Sequence, residues 1–271
     1  MLGIFDSISG IVTIISTLIS IAAIFPYFPT FWKWITDKRI LKSVLNSKNK
    51  FFLITQSLFK PGMVSEKIPE HYVFVTKGSV ICLEKIIRNL LNVGCDYEIY
   101  ETSQKKIDEI HIGGPITNEK TNEYIFEKFP NFYFVDEKDK KPQYEYFQKY
   151  KMHDNFIMYR DDFRGFIIYK DNKKTDPIKL PIDELIDYAF LIKMKSDDLG
   201  FQSDNKTVHL LFGGTEIATT VAVDFFTKNY KEIYKRAKNK HYFFAIPVSL
   251  TTRTPLVFGI RDLTKYMFDK K

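Results

Sequence analysis

Two patterns of apolar and polar positions divide the chain. Between Asp6 and Lys33 no charged residue occurs, and the stretch ISGIVTIISTLISIAAIFPYF is about as long as the roughly 20 residues a helix needs to cross a bilayer. From Phe51 onward the pattern changes to short β-rich runs alternating with helical spacing, which predicts a domain of α/β class.

Within that domain HYVFVT (71–76) reads as a strand. The helix VICLEKIIRNLLN follows, with Val80, Leu83, Ile86, Ile87 and Leu90 spaced for one buried face. YEIYE (97–101) and DEIHIGG (108–114) read as strands and NEYIFEKF as a helix. NFYFV, NFIMYR and GFIIYK read as short strands added antiparallel near the middle of the sheet. A polar stretch over 171–182 leads to a predicted helix, IDELIDYAFLIKM. TVHLLFGG is a third strand, TEIATTVAVDFFTKNYKEIYKRA its long helix and HYFFAIPVSL a closing strand. The expected architecture is a three-layer α/β domain with a mostly parallel sheet.

The first segment reads as a single transmembrane helix over residues 1–34. Tyr27, Phe28, Trp32 and Trp34 stand where an interfacial aromatic belt would lie. Lys33, Lys38, Arg39, Lys42, Lys48 and Lys50 follow, diluted by Asp37, which orients the amino terminus outward and the remainder toward the cytoplasm. The residues before the apolar run hold Asp6 but no Lys or Arg, and no small-x-small site follows, which favours a retained anchor over a cleaved signal. Pro26 and Pro29 end or kink the helix. A basic connector then spans 35–50, with the boundary of the 51–271 domain between Asn46 and Phe51.

Asp6, Ser9, Thr13, Ser16 and Ser20 recur at steps of three and four and so share one helical face. Such a stripe serves close helix packing, or lines a narrow wet path with Asp6 as a ring at its outer mouth. Both uses require a homo-oligomer, such as a tetramer.

Three strand-to-helix corners combine glycine with hydroxyl or amide side chains: Lys77, Gly78 and Ser79; Gly113, Gly114, Pro115, Thr117 and Asn118; and Gly213, Gly214, Thr215, Glu216 and Thr219. At the carboxyl ends of parallel strands, such corners present backbone amides and helix amino termini to a ligand, a chemistry suited to phosphate. Arg160 and Arg253, with Lys77, are candidate phosphate partners. The 40 Lys and Arg against 33 Asp and Glu, a net charge of +7, agree with an anionic partner or with a plain solvated surface.

Cys82 and Cys95 have no metal-ligand spacing, and no HExxH, GxSxG or GxxxxGK[ST] motif occurs. His111 and His209 fall inside strands, where a satisfied core histidine is expected. No metal or cofactor is implied beyond a nucleotide or oligonucleotide ligand. Arg160, Asp161 and Asp162 form a charge cluster that suits a solvated turn. A tethered nucleotide-processing enzyme, with Glu216 or Asp162 as acid or base, is the alternative reading.

The combination IHIGGPITNEKT, DNFIMYR and HLLFGGTEIATTVAV resembles the Rossmann-like sensor domains related to the SLOG superfamily, across roughly residues 70–255. With a membrane helix in front, the chain looks most like the transmembrane effectors of nucleotide-signalling anti-phage systems, Hailong systems among them. That resemblance implies a bacterial inner-membrane effector, single-pass and self-associating. It also implies a nucleotide signal and the nucleotidyltransferase that makes it as partners. Relatives that cleave glycosidic bonds carry PGGxGTxxE. Here no proline precedes the glycines, Ala218 and Thr219 stand for the second GT, and Ala222 takes the glutamate position, so the resemblance implies binding without cleavage.

Overall fold

IDYAFLIKMK, read above as part of a helix, is an interior strand of the main sheet. In the computed structural model it runs from Ile186 to Lys195 as β8. The Asp183 carboxylate accepts from the amides of Leu185 and Ile186, each at 2.7 Å, and this side-chain turn starts the strand rather than a helix. Tyr188, Phe190, Ile192 and Met194 then enter one apolar cluster while Ala189 and Leu191 enter another. A run buried on both faces needs no polar stripe, so helical spacing misreads it.

The structure describes residues 28–45, 51–56, 75–99, 107–129, 132–136, 157–159, 163–169, 177–195, 206–238 and 240–267. Asp6, Ser9, Thr13, Ser16, Ser20 and Arg160 lie outside these residues, as does most of the expected membrane span. Among the described residues no helix is long and apolar enough to cross a membrane.

In chain order the elements are α1 (Phe28–Leu45), β1 (Phe51–Thr55), α2 (Lys77–Asn92), β2 (Asp96–Ile99), β3 (Asp108–Ile112), α3 (Glu119–Lys128), β4 (Phe132–Asp136), β5 (Ile157–Tyr159), β6 (Gly165–Ile168) and β7 (Ile178–Pro181). After β8 come β9 (Thr207–Gly213), α4 (Glu216–Lys228), α5 (Tyr230–Ala237), β10 (Tyr242–Ser249), β11 (Thr254–Pro255), β12 (Arg261–Asp262) and α6 (Thr264–Met267). The main sheet has the order β11-β10-β8-β9-β3-β1-β2, with β12 also on β10. Strands β2, β1, β3 and β9 are parallel; β8 pairs antiparallel with both β9 and β10. The fold is mixed α/β with a mixed sheet, consistent with a Rossmann-like domain.

One face of the sheet is covered by helices α2, α4 and α5, whose Ile86, Leu90, Val221, Phe225 and Ile233 meet Phe52, Ile110, Leu211 and Phe244. The other face carries α3 and a separate sheet of order β5-β4-β6-β7. Phe132 and Phe166 from that sheet interleave with Phe190, Phe212 and Phe243 of the main one; the Phe166 and Phe190 rings are 4.6 Å apart and edge-on.

Several expected elements change here. The short strands NFYFV, NFIMYR and GFIIYK form this second layer instead of widening the main sheet, and β4 pairs parallel with β5. The polar stretch over 171–182 contains β7. The long helix after the third glycine corner breaks at Asn229, which ends α4 and starts α5. In α2 the buried face is Ser79, Cys82, Ile86 and Leu90, and Val80 is exposed. Cys82 and Cys95 are free and buried, and burial pushes the Cys82 thiol up to about 11. Of the strand expected over 71–76, only Val75 and Thr76 are described, and they lead into α2.

Residues 35–45 of the expected connector belong to α1, whose last turns join the core through buried Leu41, Val44 and Leu45. Two buried strand residues hold its carboxyl end: His209 Nε2 donates to the Leu45 carbonyl at 3.1 Å and Lys193 Nζ to the Ser43 carbonyl at 3.4 Å. Donors at this end suit the helix dipole. Burial and the nearby Lys193 lower His209 to about 3, and burial with Lys195 lowers Lys193 to about 7. Asp37 pairs with Lys231 of α5 at 2.5 Å. The amino-terminal half of α1 exposes Phe31, Trp32 and Trp34.

Leu45→Ala should cost about 3 kcal/mol of unfolding free energy, the usual price of truncating a fully buried leucine. Denaturant titration reads it, and a cost below about 1 kcal/mol would show that α1 is not part of the core.

Candidate functional site

Each corner is shaped by a local necessity. After β3, Gly113 turns the chain at φ 109, a left-handed conformation that favours glycine, while its amide donates to the Leu211 carbonyl at 2.9 Å. After β9, the Gly213 amide donates to Thr219 Oγ1 at 3.1 Å, and a Cβ there would lie 2.3 Å from that of Ala218. Glycine is needed so that the first turn of α4 can close onto the strand end. Thr215 caps α4, accepting from the Ala218 amide at 3.2 Å. Thr76 caps α2 in the same way, accepting from the Ser79 amide at 3.1 Å and donating to Ser79 Oγ at 3.0 Å.

The three corners converge. Thr76 and Ser79 from the first, Gly114, Pro115, Ile116 and Thr117 from the second, and Gly213, Gly214, Thr215, Glu216 and Thr219 from the third line one cavity of about 240 Å³. Phe212 of β9, Phe134 of β4 and Phe166 of β6 complete it. The cavity therefore lies at the carboxyl ends of β3 and β9, adjacent parallel strands, where open α/β sheets place ligands. Helices α2 and α4 meet at its rim, where the Gly78 amide donates to Glu216 Oε1 at 2.9 Å across 138 residues of sequence.

Other expected site residues have different duties. Gly113 and Gly78 do not line the cavity; a Cβ on Gly78 would collide with the Glu216 carboxylate. Asn118 lies behind the wall, buried, capping α3 through the Thr121 amide at 3.2 Å and donating to Thr55 Oγ1 and the Ile112 carbonyl, each at 3.0 Å. Lys77 and Arg253 are exposed and do not line the cavity; Arg253 occupies the β10–β11 turn at φ 56. Among the described lining residues Glu216 is the one charged side chain, so neither described candidate phosphate partner, Lys77 or Arg253, contributes to the lining.

Asp187, at the start of β8, is a residue that sequence reading missed. Fully buried, it accepts from the Tyr188 amide at 2.6 Å and from Thr215 Oγ1 at 2.7 Å. Burial raises its pKa, and those hydrogen bonds work the other way. The Gly214–Thr215 corner is thus packed against a carboxylate and tied to it through the Thr215 hydroxyl. The helical reading of IDELIDYAF hid this aspartate. Thr76, by contrast, was legible as a threonine directly before a helix.

Behind the β3 corner a buried chain of hydrogen bonds runs from Asn118 through Thr55 to His111 Nδ1 at 2.8 Å, and from His111 Nε2 to Glu109 Oε2 at 2.9 Å. Tyr124 and Lys206 also donate to Glu109, at 2.5 and 2.6 Å. His111 is the satisfied core histidine that its strand position predicts; His209 is bonded through Nε2, while its Nδ1 meets no partner among the described residues. Burial disfavours the ionised Glu109, but His111 and Lys206 outweigh it and pull it down to about 2. Among the described residues no cluster of His, Cys, Asp or Glu could hold a metal ion.

Comparison with models of known protein families, with curated proteins and with solved structures finds no match.

Two outcomes are expected. Glu109→Gln should lower stability by about 3 kcal/mol at neutral pH, because it breaks a buried charged network. The folded carboxyl titrates near 2 against an ordinary 4.5, so its stabilisation is complete above 4.5 and fades as pH falls toward 2. Denaturation series at pH 7 and pH 3 should show the gap between variant and parent narrowing. Gly214→Val should lower the thermal midpoint, since its Cβ would lie 2.6 Å from Asp187 Oδ1 and 2.9 Å from Ile182 Cδ1. An unchanged midpoint would mean that Asp187 does not bear on this turn.

Proposed function

We propose that this chain is a membrane-anchored sensor of the bacterial inner membrane, acting in anti-phage defence. In this reading the α/β domain binds a nucleotide or short oligonucleotide made by a partner nucleotidyltransferase. Occupancy changes how the membrane helices pack in a homo-oligomer and so gates an ion path along the Asp6, Ser9, Thr13, Ser16 and Ser20 face. The observation that carries the reading is the meeting of three sequence-distant corners at one cavity beside the ends of two parallel strands.

A route from pocket to membrane supports it. Strand β9 carries Gly213 at the cavity and His209, four residues earlier, under the carboxyl end of α1. At about 3.3 Å per residue the two points are roughly 13 Å apart on one strand. A ligand that moves the β9 end relative to the sheet therefore acts on α1, which follows the apolar segment in sequence. It can shift that equilibrium only through unequal affinity for the two arrangements.

The competing reading, a tethered enzyme that cleaves nucleotides, rests on Glu216 as the charged group in the cavity. Against it, the Glu216 carboxylate is engaged by the Gly78 amide. Asp162, the other candidate acid, lies outside the described residues.

Full-length protein should be stabilised by about 2.7 kcal/mol at a nucleotide concentration a hundred times its Kd, and proteoliposome conductance should change with the same ligand. Absence of both effects across mononucleotides and short oligonucleotides would remove the sensor reading. Nucleotide turnover abolished by Glu216→Ala would put the enzyme in its place.

A further inference from the structure

We infer that the cavity takes the nucleoside part of its ligand, base first, and leaves phosphate outside; this rests on the nucleotide-binding reading above. Several donors that would hold phosphate are already used. The Gly78 amide faces Glu216, the Ser79 amide faces Thr76 Oγ1, and the Ala218 amide faces Thr215 Oγ1, while the Thr215 hydroxyl faces Asp187. The amino terminus of α2 is thus answered by the chain's own carboxylate and hydroxyl, and that of α4 carries its own carboxylate, Glu216, in its first turn.

Charge points the same way. Among the described lining residues the one charged group is Glu216, an anion, and a phosphate inside the cavity would meet a like charge with no cation beside it. The walls are instead apolar: Phe166 and Phe212 form a buried floor, while the half-buried Phe134 and Ile116 are the apolar side chains that reach the opening. The Phe134 ring suits the face of a nucleobase, whose stacking on an aromatic ring is worth about 1–3 kcal/mol. Size agrees, since about 240 Å³ falls below the roughly 300–1,000 Å³ of sites that enclose a drug-sized ligand, and so admits one base with its sugar, not a chain of nucleotides.

The polar groups that remain can orient that guest. Ser79 Oγ accepts from Thr76 and has its own proton to give, while Glu216, with one oxygen on the Gly78 amide, has its second oxygen to accept. Donor and acceptor thus stand together at the first turn of α2, a pair that the edge of a base or a sugar hydroxyl can answer.

The test titrates full-length protein by calorimetry with adenosine, guanosine, cytidine and thymidine, their 5′-monophosphates, and pyrophosphate. The best nucleoside should bind within about tenfold of its own monophosphate, and pyrophosphate should neither bind nor compete. Phe134→Ala, at a half-buried position, should weaken nucleoside binding by about tenfold. Glu216→Gln keeps the acceptor for Gly78 and removes the charge, so it should improve monophosphate over nucleoside binding by about fivefold. Monophosphates that bind while every nucleoside fails, competition by pyrophosphate, or an unchanged ratio in Glu216→Gln would each overturn the base-first arrangement and leave nucleotide sensing standing. If neither these ligands nor short oligonucleotides bind, nucleotide sensing falls with it.

Discussion

Burial of the central strands on both faces is the constraint from which the other features follow. Strands β8, β9 and β3 lie between a helical layer on one face and α3 with the second sheet on the other, so all but the end residues of β8 and β9 are buried. Any polar side chain placed there must find a partner or carry an uncompensated desolvation cost of about 1–3 kcal/mol or more. Asp108, Glu109, His111, Asp187, Lys193 and His209 are all buried on these strands. Their partners come from the segments that connect the layers. Asp187 holds the α4 corner, the Glu109–His111 chain holds the α3 corner through Thr55 and Asn118, and Lys193 and His209 hold the carboxyl end of α1. Apolar surface provides the driving force for assembly; these few polar groups determine where the connections sit.

The same satisfaction of buried groups changes the chemistry of the cavity. Glycine, serine and threonine at strand-to-helix corners suggest an anion site when their amides are unanswered. Here the Gly78 amide turns to Glu216, the Ser79 amide to Thr76 and the Ala218 amide to Thr215, whose hydroxyl is held by Asp187. What the corners present to the cavity is a set of hydroxyls and one carboxylate, beside the half-buried Phe134 of the second sheet. That second layer supplies Phe134 and Phe166 and so takes part in the site as well as in the core.

On the sensing reading proposed above, the position of α1 gives the domain an output. Its carboxyl end rests on β8 and β9, the strands whose Asp187 and Gly213 shape the third corner. Its amino-terminal half, with exposed Phe31, Trp32 and Trp34 beside Lys33, Lys38 and Arg39, has the composition of a membrane interface. A rigid helix fixed at one end transmits small displacements of that end along its length.

How much was legible beforehand follows from which interactions are local. The strand TVHLLFGG and the corner IHIGG were readable because strand burial and glycine turns depend on neighbours within a few residues. The meeting of three corners could be anticipated from the parallel topology that such units adopt. The nature of β8 could not: a continuous apolar run is compatible with helix or strand until the layers on either side of it are known. Nor could the cavity's character be read, because the groups around a glycine-rich turn depend on Asp187, 27 residues before Gly214, and on Glu216 reaching Gly78 across 138 residues. The sequence by itself determined the glycine corners and the elements with a clear local pattern; tertiary packing decided the nature of β8 and which hydrogen-bond donors met the chain's own groups, since both depend on long-range partners that no local pattern encodes.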